Sequence, residues 1–387
     1  MARLKVALAT WFPEDPAEPR GGVEAVSVTL ARALSELDEL DVHVVTTARN
    51  CQSFSAMPWE KATVHRLPWA GGKMLFHAIG PGRRQMRKYL AELAPDVIHA
   101  HDTFGLTVKG MPVPRVFTIH GFIYVDTLLG GGWLARTRSW IWRRVETAGW
   151  ADQPHIISIS PYVTQRLKGI ARGVIYDIDN PINPAFFDVQ RQERPGTIFS
   201  AARIGPLKNT LALVEAFASI ADGRGEARLR LAGAESEPYA ARVRERIRTC
   251  GLADRVSLLG RVSSDLVQEE LSRASLFALV SLQENSPMGI GEAMAAGVPV
   301  VASNRCGIPY MVRDGESGFL VDPLDPEQIA RRLGELLDDD ALRVRMGHSG
   351  RDIAEDRFHP RRVAGRTRQV YLQAVQNHGQ RKRAGVA

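Results

Sequence analysis

Cysteine is scarce in this chain, whose 387 residues include only Cys51, Cys250 and Cys306. Three widely spaced cysteines form neither a disulfide framework nor a metal-binding motif, so we expect a reducing, cytoplasmic setting. No apolar run approaches the roughly 20 residues that cross a bilayer. The apolar start of the chain is too short for a signal peptide and is better interpreted as a first β-strand.

Two motifs that would indicate other enzyme classes are missing. A Gly-x-Gly-x-x-Gly turn after a first strand, with an acid about 20 residues later, would indicate a dinucleotide-dependent oxidoreductase, and the sequence lacks it. No Asp-x-Asp motif stands out as a metal site, and the histidines do not have metal-site spacing. We therefore expect no metal and no other cofactor.

The positive charge is unevenly distributed. The formal net charge is +7, and the tail from residue 361 carries seven basic residues and no acidic one. Because no nucleic-acid recognition motif accompanies this excess, we expect no nucleic-acid partner. An anionic membrane surface and an anionic acceptor remain as explanations.

The most informative stretch runs from residue 279 to 303. Its pattern predicts a buried strand over 277–282, a short helix over 288–296 capped by Ser286, and a second strand over 298–302. Glu284 lies at the carboxyl edge of the first strand and Glu292 lies inside the helix. Ligands of parallel sheets bind at that edge, and a helix N-terminus favours an anion there. A sugar nucleotide fits, although two solvated acids are the structural alternative.

Two cations bracket a similar turn earlier in the chain. Arg203 and Lys208 lie between a strand predicted over 197–201 and a helix predicted over 210–220. They could be ordinary surface charges. Opposite a pair of glutamates, however, an arginine and a lysine are suited to hold a diphosphate.

Glu284 and Glu292, followed by Ala293-Met294-Ala295-Ala296-Gly297-Val298-Pro299-Val300-Val301, resemble the signature of the retaining glycosyltransferases of family 4. The resemblance implies an α/β GT-B fold, with two facing Rossmann-like domains, parallel sheets and an interdomain cleft. Residues 1–182 would form the acceptor domain and 183–357 the nucleotide-sugar donor domain. The last helix, predicted over 358–375, would pack back on the first domain.

The same resemblance implies roles for individual residues. Glu292 would bind the ribose, Glu284 would face the donor sugar, and His120 would lie against that sugar near the reacting carbon. Arg203 and Lys208 would bind the diphosphate. The remaining donor contacts implied are Gly22, Gly233, Val262, Ser286, Met288 and Gly289. Pro287 departs from the family pattern and has no N–H to offer a ligand.

We therefore expect a metal-independent, hexosyl-type retaining glycosyltransferase, acting in cell-surface polysaccharide, lipopolysaccharide or glycolipid synthesis on a carbohydrate or lipid-linked acceptor. The alternatives are an epimerase or phosphorylase on the same fold, and a non-catalytic sugar-nucleotide-binding protein. Segment 133–150 interleaves tryptophan with arginine. It predicts either a helix with tryptophans in the core or a surface that contacts lipid headgroups, with the protein peripheral at the inner membrane face.

Overall fold

The computed structural model describes residues 3–49 and 51–383. The chain divides into two compact units. The first unit comprises Met1–Pro181 and Pro360–Ala387, and the second comprises Ile182–His359. Residues 384–387 of the basic tail lie outside the described residues.

The first unit is built on an eight-stranded sheet. Its strands are β1 (Leu4–Ala9), β2 (Leu40–Ala48), β3 (Ser55–Trp59), β4 (Ala62–Pro68), β5 (Val97–His101), β6 (Arg115–Ile119), β7 (His155–Ser158) and β8 (Val174–Asp177). The order across the sheet is β3-β4-β2-β1-β5-β6-β7-β8, and only the β3–β4 pair is antiparallel. The order reverses between β1 and β5, which makes their carboxyl ends a topological switch point.

Helices connect these strands, as parallel pairing requires. They are α1 (Gly22–Ser35), α2 (Met74–Ile79), α3 (Pro81–Leu93), α4 (Phe104–Val108), α5 (Ile123–Leu129), α6 (Ala135–Trp150) and α7 (Pro161–Leu167). Among the described residues, no helix is long and apolar enough to cross a membrane.

The second unit contains a six-stranded, fully parallel sheet. Its strands are β9 (Thr197–Ala201), β10 (Arg228–Ala232), β11 (Val256–Gly260), β12 (Leu276–Leu279), β13 (Val300–Ser303) and β14 (Gly318–Val321). Its helices are α8 (Thr210–Ala221), α9 (Tyr239–Thr249), α10 (Ser264–Arg273), α11 (Met288–Ala295), α12 (Pro326–Asp338) and α13 (Asp340–Arg357). The order β11-β10-β9-β12-β13-β14 reverses between β9 and β12. The final helix, α14 (Pro360–Arg383), belongs to the first unit.

Burial on both faces explains why central strands such as β9, β12 and β13 are largely apolar. In β9, Ile198 packs into one apolar cluster and the adjacent Phe199 into another. The same alternation places Ala278 and Phe277 of β12 in those two clusters. Successive side chains of a strand point to opposite faces, so a sheet covered by helices on both sides needs apolar residues at every position. The predicted α/β class, with two parallel-dominated sheets, is confirmed.

Candidate functional site

The two turns that carry the predicted cations and the first glutamate meet at the switch point of the second unit. One turn follows β9 and contains a 3₁₀ segment, Pro206–Lys208. The other follows β12, and its Leu282 N–H donates to the Leu207 carbonyl (2.8 Å). Because β9 and β12 are adjacent, residues about 80 positions apart in sequence become neighbours.

Lys208 and Glu284 form an ion pair at this point. The lysine Nζ donates to Glu284 Oε1, and their side chains are 29% and 12% exposed. The Glu284 carbonyl also accepts from the N–H of Gly307, a position where a side chain would collide with the Asn285 carbonyl. The backbone around Glu284 is therefore fixed, and the two side chains neutralise each other.

Arg203 lies on the same β9–α8 connection but is exposed. Among the described residues its guanidinium has no hydrogen-bond or ion-pair partner. The two cations of the predicted clamp therefore differ in state, since Lys208 is paired and Arg203 is solvated.

Helix α11 begins at Met288, as predicted, but its cap differs from the prediction. Pro287, not Ser286, holds the N-cap position, and no side chain caps the helix. The reason is that Pro287 is extended (ψ 125°), while the Ser286 hydroxyl lies 3.7 Å from the Met311 sulfur. The prediction of Ser286 as N-cap is wrong. Among the residues that the structure describes, no side chain therefore accepts a hydrogen bond from the first N–H groups of α11.

Glu292 is half-buried on α11, between side chains that are fully buried. Burial raises the pKa of its carboxyl to about 7. Within residues 3–49 and 51–383, no side chain or backbone group forms a hydrogen bond or ion pair with it. An unpartnered carboxyl in an apolar environment carries a desolvation cost that an unpaired group on the surface does not.

The remaining predicted contacts of the second unit have packing roles. Gly289 lies against β9, where a Cβ would stand 3.2 Å from the Ala201 carbonyl oxygen, and the Met288 side chain is partly buried on the core. Gly233 follows β10 with φ +150°, and a Cβ there would lie 1.9 Å from the Ala202 carbonyl oxygen. Val262 follows β11 and is partly buried. These residues surround the same carboxyl edge of the sheet.

In the first unit, His120 follows β6 and belongs to a buried group of imidazoles. Its Nε2 lies 2.9 Å from Nδ1 of His101, and its backbone N–H donates to Asp102 Oδ1 (2.8 Å). Burial lowers the pKa of His120, against the opposing effect of Asp102 and a hydrogen bond with Asn180. The ring is therefore neutral at pH 7.

His99 has a different environment from His120. Its two ring nitrogens lie 2.7 Å from the Tyr371 hydroxyl and 2.7 Å from Thr118 Oγ1. Burial lowers its pKa to about 3. Both nitrogens of His99 are thus engaged within the fold.

The predicted donor contact Gly22 is exposed at the N-terminus of α1, and among the described residues no side chain caps this helix.

Sequence reasoning did not identify Glu146. This residue of α6 is buried, and its carboxyl accepts the N–H groups of Ile123 (3.1 Å) and Tyr124 (2.9 Å) at the start of α5. Burial, opposed by these hydrogen bonds, raises its pKa to about 8. The available signal was its position as the only acid among the tryptophans and arginines of segment 133–150.

No group of three or more His, Cys, Asp or Glu side chains that could hold a metal ion occurs among the described residues. The charged groups that the second unit offers to a ligand are therefore protein cations, carboxylates and an uncapped helix terminus.

Several solved structures have the same fold. Sucrose-phosphate synthase from Thermosynechococcus elongatus superposes with a TM-score of 0.81 at 22% identity, covering 96% of this chain and 99% of that one. Anabaena HepE in complex with UDP and glucose gives a TM-score of 0.74 at 16% identity, covering 96% and 100%. At such identities the likeness establishes the GT-B fold alone.

Sequence relatives match over shorter stretches. D-inositol 3-phosphate glycosyltransferase of Streptomyces avermitilis is 35% identical over 191 residues, 48% of this chain and 41% of the relative. A GDP-mannose-dependent alpha-(1-6)-phosphatidylinositol monomannoside mannosyltransferase of Mycobacterium tuberculosis is 35% identical over 196 residues, 48% and 50%. The chain spans about half the length of the curated relatives it matches.

Two family models cover consecutive parts of the chain. Glycosyltransferase Family 4 matches residues 20–186, and Glycosyl transferases group 1 matches residues 182–353. Their junction coincides with the boundary between the two units. The chain therefore belongs to the GT-B glycosyltransferases that join a Family 4 domain to a group 1 domain.

Proposed function

We propose that this protein is a retaining glycosyltransferase that uses a nucleotide-diphosphate sugar. The observation that carries the proposal is the arrangement at the switch point of the second unit. A lysine–glutamate pair, an uncapped helix N-terminus and an unpartnered glutamate occur there within two adjacent strand–helix turns. An anionic ligand that carries hydroxyl groups on both sides would satisfy all of them.

Each group then has a role in donor binding. The diphosphate replaces Glu284 as the ion-pair partner of Lys208. It also binds Arg203, which is exposed to solvent in the free protein. Glu284, once released, accepts hydrogen bonds from the donor sugar. Glu292, in its ionised form, accepts the ribose hydroxyls. The cations and the helix terminus stabilise the charge of the leaving diphosphate without a divalent ion.

The proposed chemistry is direct transfer on one face of the sugar. The bond from the anomeric carbon to the diphosphate oxygen breaks, and a bond to the acceptor oxygen forms. The acceptor proton passes to the leaving diphosphate, so the products are the glycosylated acceptor and the free nucleotide diphosphate. The first unit binds the acceptor, and His120, neutral at pH 7, serves as a hydrogen-bonding group for a sugar hydroxyl.

A melting-temperature screen against UDP-, GDP- and ADP-sugars tests donor binding, because a ligand that binds the native state raises its stability. The product distinguishes the candidate activities. Release of nucleotide diphosphate that depends on an acceptor, and that persists in EDTA, supports the proposal. An isomerised nucleotide sugar or a free sugar phosphate would indicate an epimerase or a phosphorylase instead. Donor binding without turnover would indicate a non-catalytic protein.

We also propose that the first unit contacts an anionic membrane, where it would meet a lipid-linked acceptor. The relevant surface lies on α5 and α6 and is called here the Trp/Arg surface. Its exposed apolar members are Leu128, Leu129, Trp133, Leu134, Trp140 and Ile141. Its exposed cations are Arg136, Arg138, Arg143 and Arg144. Trp133 is 86% exposed, Trp140 is 58% exposed, and Arg144 lies over the Trp140 ring.

Interfacial tryptophans with arginines beside them fit the headgroup region of a bilayer, and each basic residue near an anionic surface contributes about 1 kcal/mol. Flotation with vesicles of phosphatidylglycerol and phosphatidylcholine measures binding of the protein to an anionic membrane. We expect binding at low salt that falls as salt rises, and that is lost when Trp133 and Trp140 are both replaced by alanine. The control variant is Met57→Ala, which removes an exposed apolar side chain from β3. Equal flotation with pure phosphatidylcholine would contradict the electrostatic part.

A further inference from the structure

Two histidines of the first unit are hydrogen-bonded to each other at the carboxyl ends of adjacent strands. His101 is the last residue of β5, and His120 directly follows β6. Nδ1 of His101 lies 2.9 Å from Nε2 of His120. Both rings are neutral at pH 7, because burial lowers the pKa of each. A neutral imidazole has one N–H donor and one bare acceptor nitrogen, so either ring could donate in this contact.

The environment of His101 Nε2 distinguishes the two arrangements. His101 is 0% exposed, and its Nε2 forms no hydrogen bond within the described residues. If His120 donated, the proton of His101 would lie on this Nε2, as a buried N–H without an acceptor. If His101 donates from Nδ1, its Nε2 holds only a lone pair. Unpaired buried N–H groups are rarer in folded proteins than under-satisfied acceptors, so donation by His101 is favoured.

The hydrogen bond between His120 and Asn180 agrees with this direction. The bond raises the pKa of His120, which means that the imidazole donates to the Asn180 side chain. A neutral ring has a single N–H, so a His120 that gave its proton to His101 would have none for Asn180. When Nε2 of His120 accepts from His101, its proton lies on Nδ1.

The neighbouring His99 does not compete for this contact. Its ring centroid lies 4.5 Å from that of His101, but its two nitrogens are engaged by Tyr371 and Thr118. His99 therefore packs against the His101 ring without bonding it. Among the described residues, the nitrogens of His101 have His120 as their hydrogen-bond partner.

We propose that His101 is a positioning residue for His120, an inference that rests on the proposed function. The Nδ1–H of His101 donates to Nε2 of His120, which fixes the orientation of the second ring and holds its proton on Nδ1. His120 then meets a hydroxyl of the donor sugar as a hydrogen-bond donor, through the N–H that Asn180 accepts in the free protein.

NMR of the full chain with isotope-labelled histidine tests the direction of the bond without any substrate. Long-range proton–nitrogen spectra distinguish a protonated ring nitrogen from a bare one, and the signals of each ring are identified by their loss in His101→Asn and His120→Asn. We expect the proton on Nδ1 in both rings at pH 7. A proton on Nε2 of His101 would overturn the proposal, and this measurement needs only the wild type.

The titration of His120 in His101→Leu gives a second, signed test. A donor to the bare Nε2 stabilises the neutral ring, so its removal should raise the pKa of His120, with a proton-binding constant about threefold to tenfold larger. Asp102 and Asn180 are present in both proteins and do not account for a difference. If His120 were the donor, the same variant would remove an acceptor and lower this pKa. A fall or no change would therefore overturn the proposal.

Turnover shows whether this positioning matters for transfer. We expect His101→Leu to lower kcat for acceptor-dependent release of nucleotide diphosphate about threefold to tenfold. His101→Asn offers an amide N–H near the position of Nδ1 and should restore most of the rate and the wild-type titration of His120. His155→Asn replaces another buried histidine, on β7, and is the control that should match the wild type. Melting temperatures verify folding.

The outcomes separate this inference from the proposed function. Expected proton positions in a protein that transfers no sugar would support the His101–His120 arrangement and refute the transferase. Sugar transfer with a full rate in a folded His101→Leu variant would refute the positioning role and leave the transferase supported.

Discussion

The two units place different chemistry at equivalent points of similar sheets. Where the strand order reverses, the second unit presents Lys208 paired with Glu284 and the unpartnered Glu292. The first unit presents the indoles of Trp11 and Trp69, with a neutral imidazole and a hydroxyl beside them, at its own reversal. The strands that lead to both points are largely apolar, so most of the difference comes from residues at or beyond their carboxyl ends. A charged edge suits a diphosphate, whereas an uncharged aromatic edge offers no ion pair to one.

A second comparison concerns two carboxyls with raised pKa values, the half-buried Glu292 and the buried Glu146. Burial raises the pKa of Glu292 to about 7 and that of Glu146 to about 8. Glu146 nevertheless accepts two backbone N–H groups, whereas Glu292 has no partner among the described residues. A raised pKa alone therefore does not separate a structural carboxyl from one available to a ligand. The hydrogen-bond partners make that distinction.

We expect the largest effect from removing the Lys208 charge, which distinguishes the switch point of the second unit from that of the first. Lys208→Ala should reduce the turnover of sugar transfer by about 10²–10³-fold, because the leaving diphosphate loses a preorganised cation. Steady-state release of nucleotide diphosphate measures it. The control is Lys61→Ala, which breaks an exposed ion pair with Glu36 and should leave turnover unchanged. If Lys208→Ala and Lys61→Ala release nucleotide diphosphate at similar rates, Lys208 does not bind the leaving group and the two switch points do not differ in function.

Glu292→Gln tests the cost of the unpartnered carboxyl. The native pKa of about 7 lies above the value of about 4.3 expected in the unfolded chain. Between these values the unfolded chain releases a proton that the native state keeps, so the native state loses stability as pH rises. Glutamine has no such proton. The free energy of unfolding of the variant should equal that of the wild type at pH 4. At pH 8 it should exceed the wild-type value by up to about 3 kcal/mol.

Urea unfolding at the two pH values measures this difference. The same variant should bind nucleotide sugars more weakly at pH 8, because an amide oxygen accepts ribose hydroxyls less strongly than a carboxylate does. If the difference in unfolding free energy between Glu292→Gln and the wild type is the same at both pH values, Glu292 is not desolvated in the native state.

The parts of the fold that follow local periodicity could be predicted from the sequence. The strand predicted over 197–201 has those bounds in the structure, and the helix predicted over 210–220 ends one residue later, at Ala221. Strand β3 was not predicted, because Ser55–Trp59 is largely exposed, contains Pro58, and lacks apolar alternation. Helix α13 was also missed, since nearly half of its residues are charged and its buried face is narrow.

The meeting of the β9 and β12 turns was predictable because parallel strands bring their carboxyl ends to one edge. The Lys208–Glu284 pairing and the position of the α11 cap at Pro287 depend on local geometry that spacing does not contain. The aromatic edge of the first unit depends on residues that approach only in the folded sheet, such as Trp11 with Trp69. No local pattern in the sequence reports that approach.

The smallest predicted effect sharpens the comparison of the two carboxyls. Glu146→Gln should lower the free energy of unfolding by about 1–2 kcal/mol at pH 4, because a side-chain amide accepts only one of the two N–H groups at the start of α5 and presents its NH₂ to the other. At this pH both carboxyls are protonated in the native state and mostly protonated in the unfolded chain, so pKa differences contribute only about 0.2 kcal/mol for each. Urea unfolding at pH 4 should therefore show a loss for Glu146→Gln and none for Glu292→Gln. Equal effects would mean that hydrogen-bond partners do not distinguish the two acids, and the assignment of Glu292 to a ligand would lose its basis.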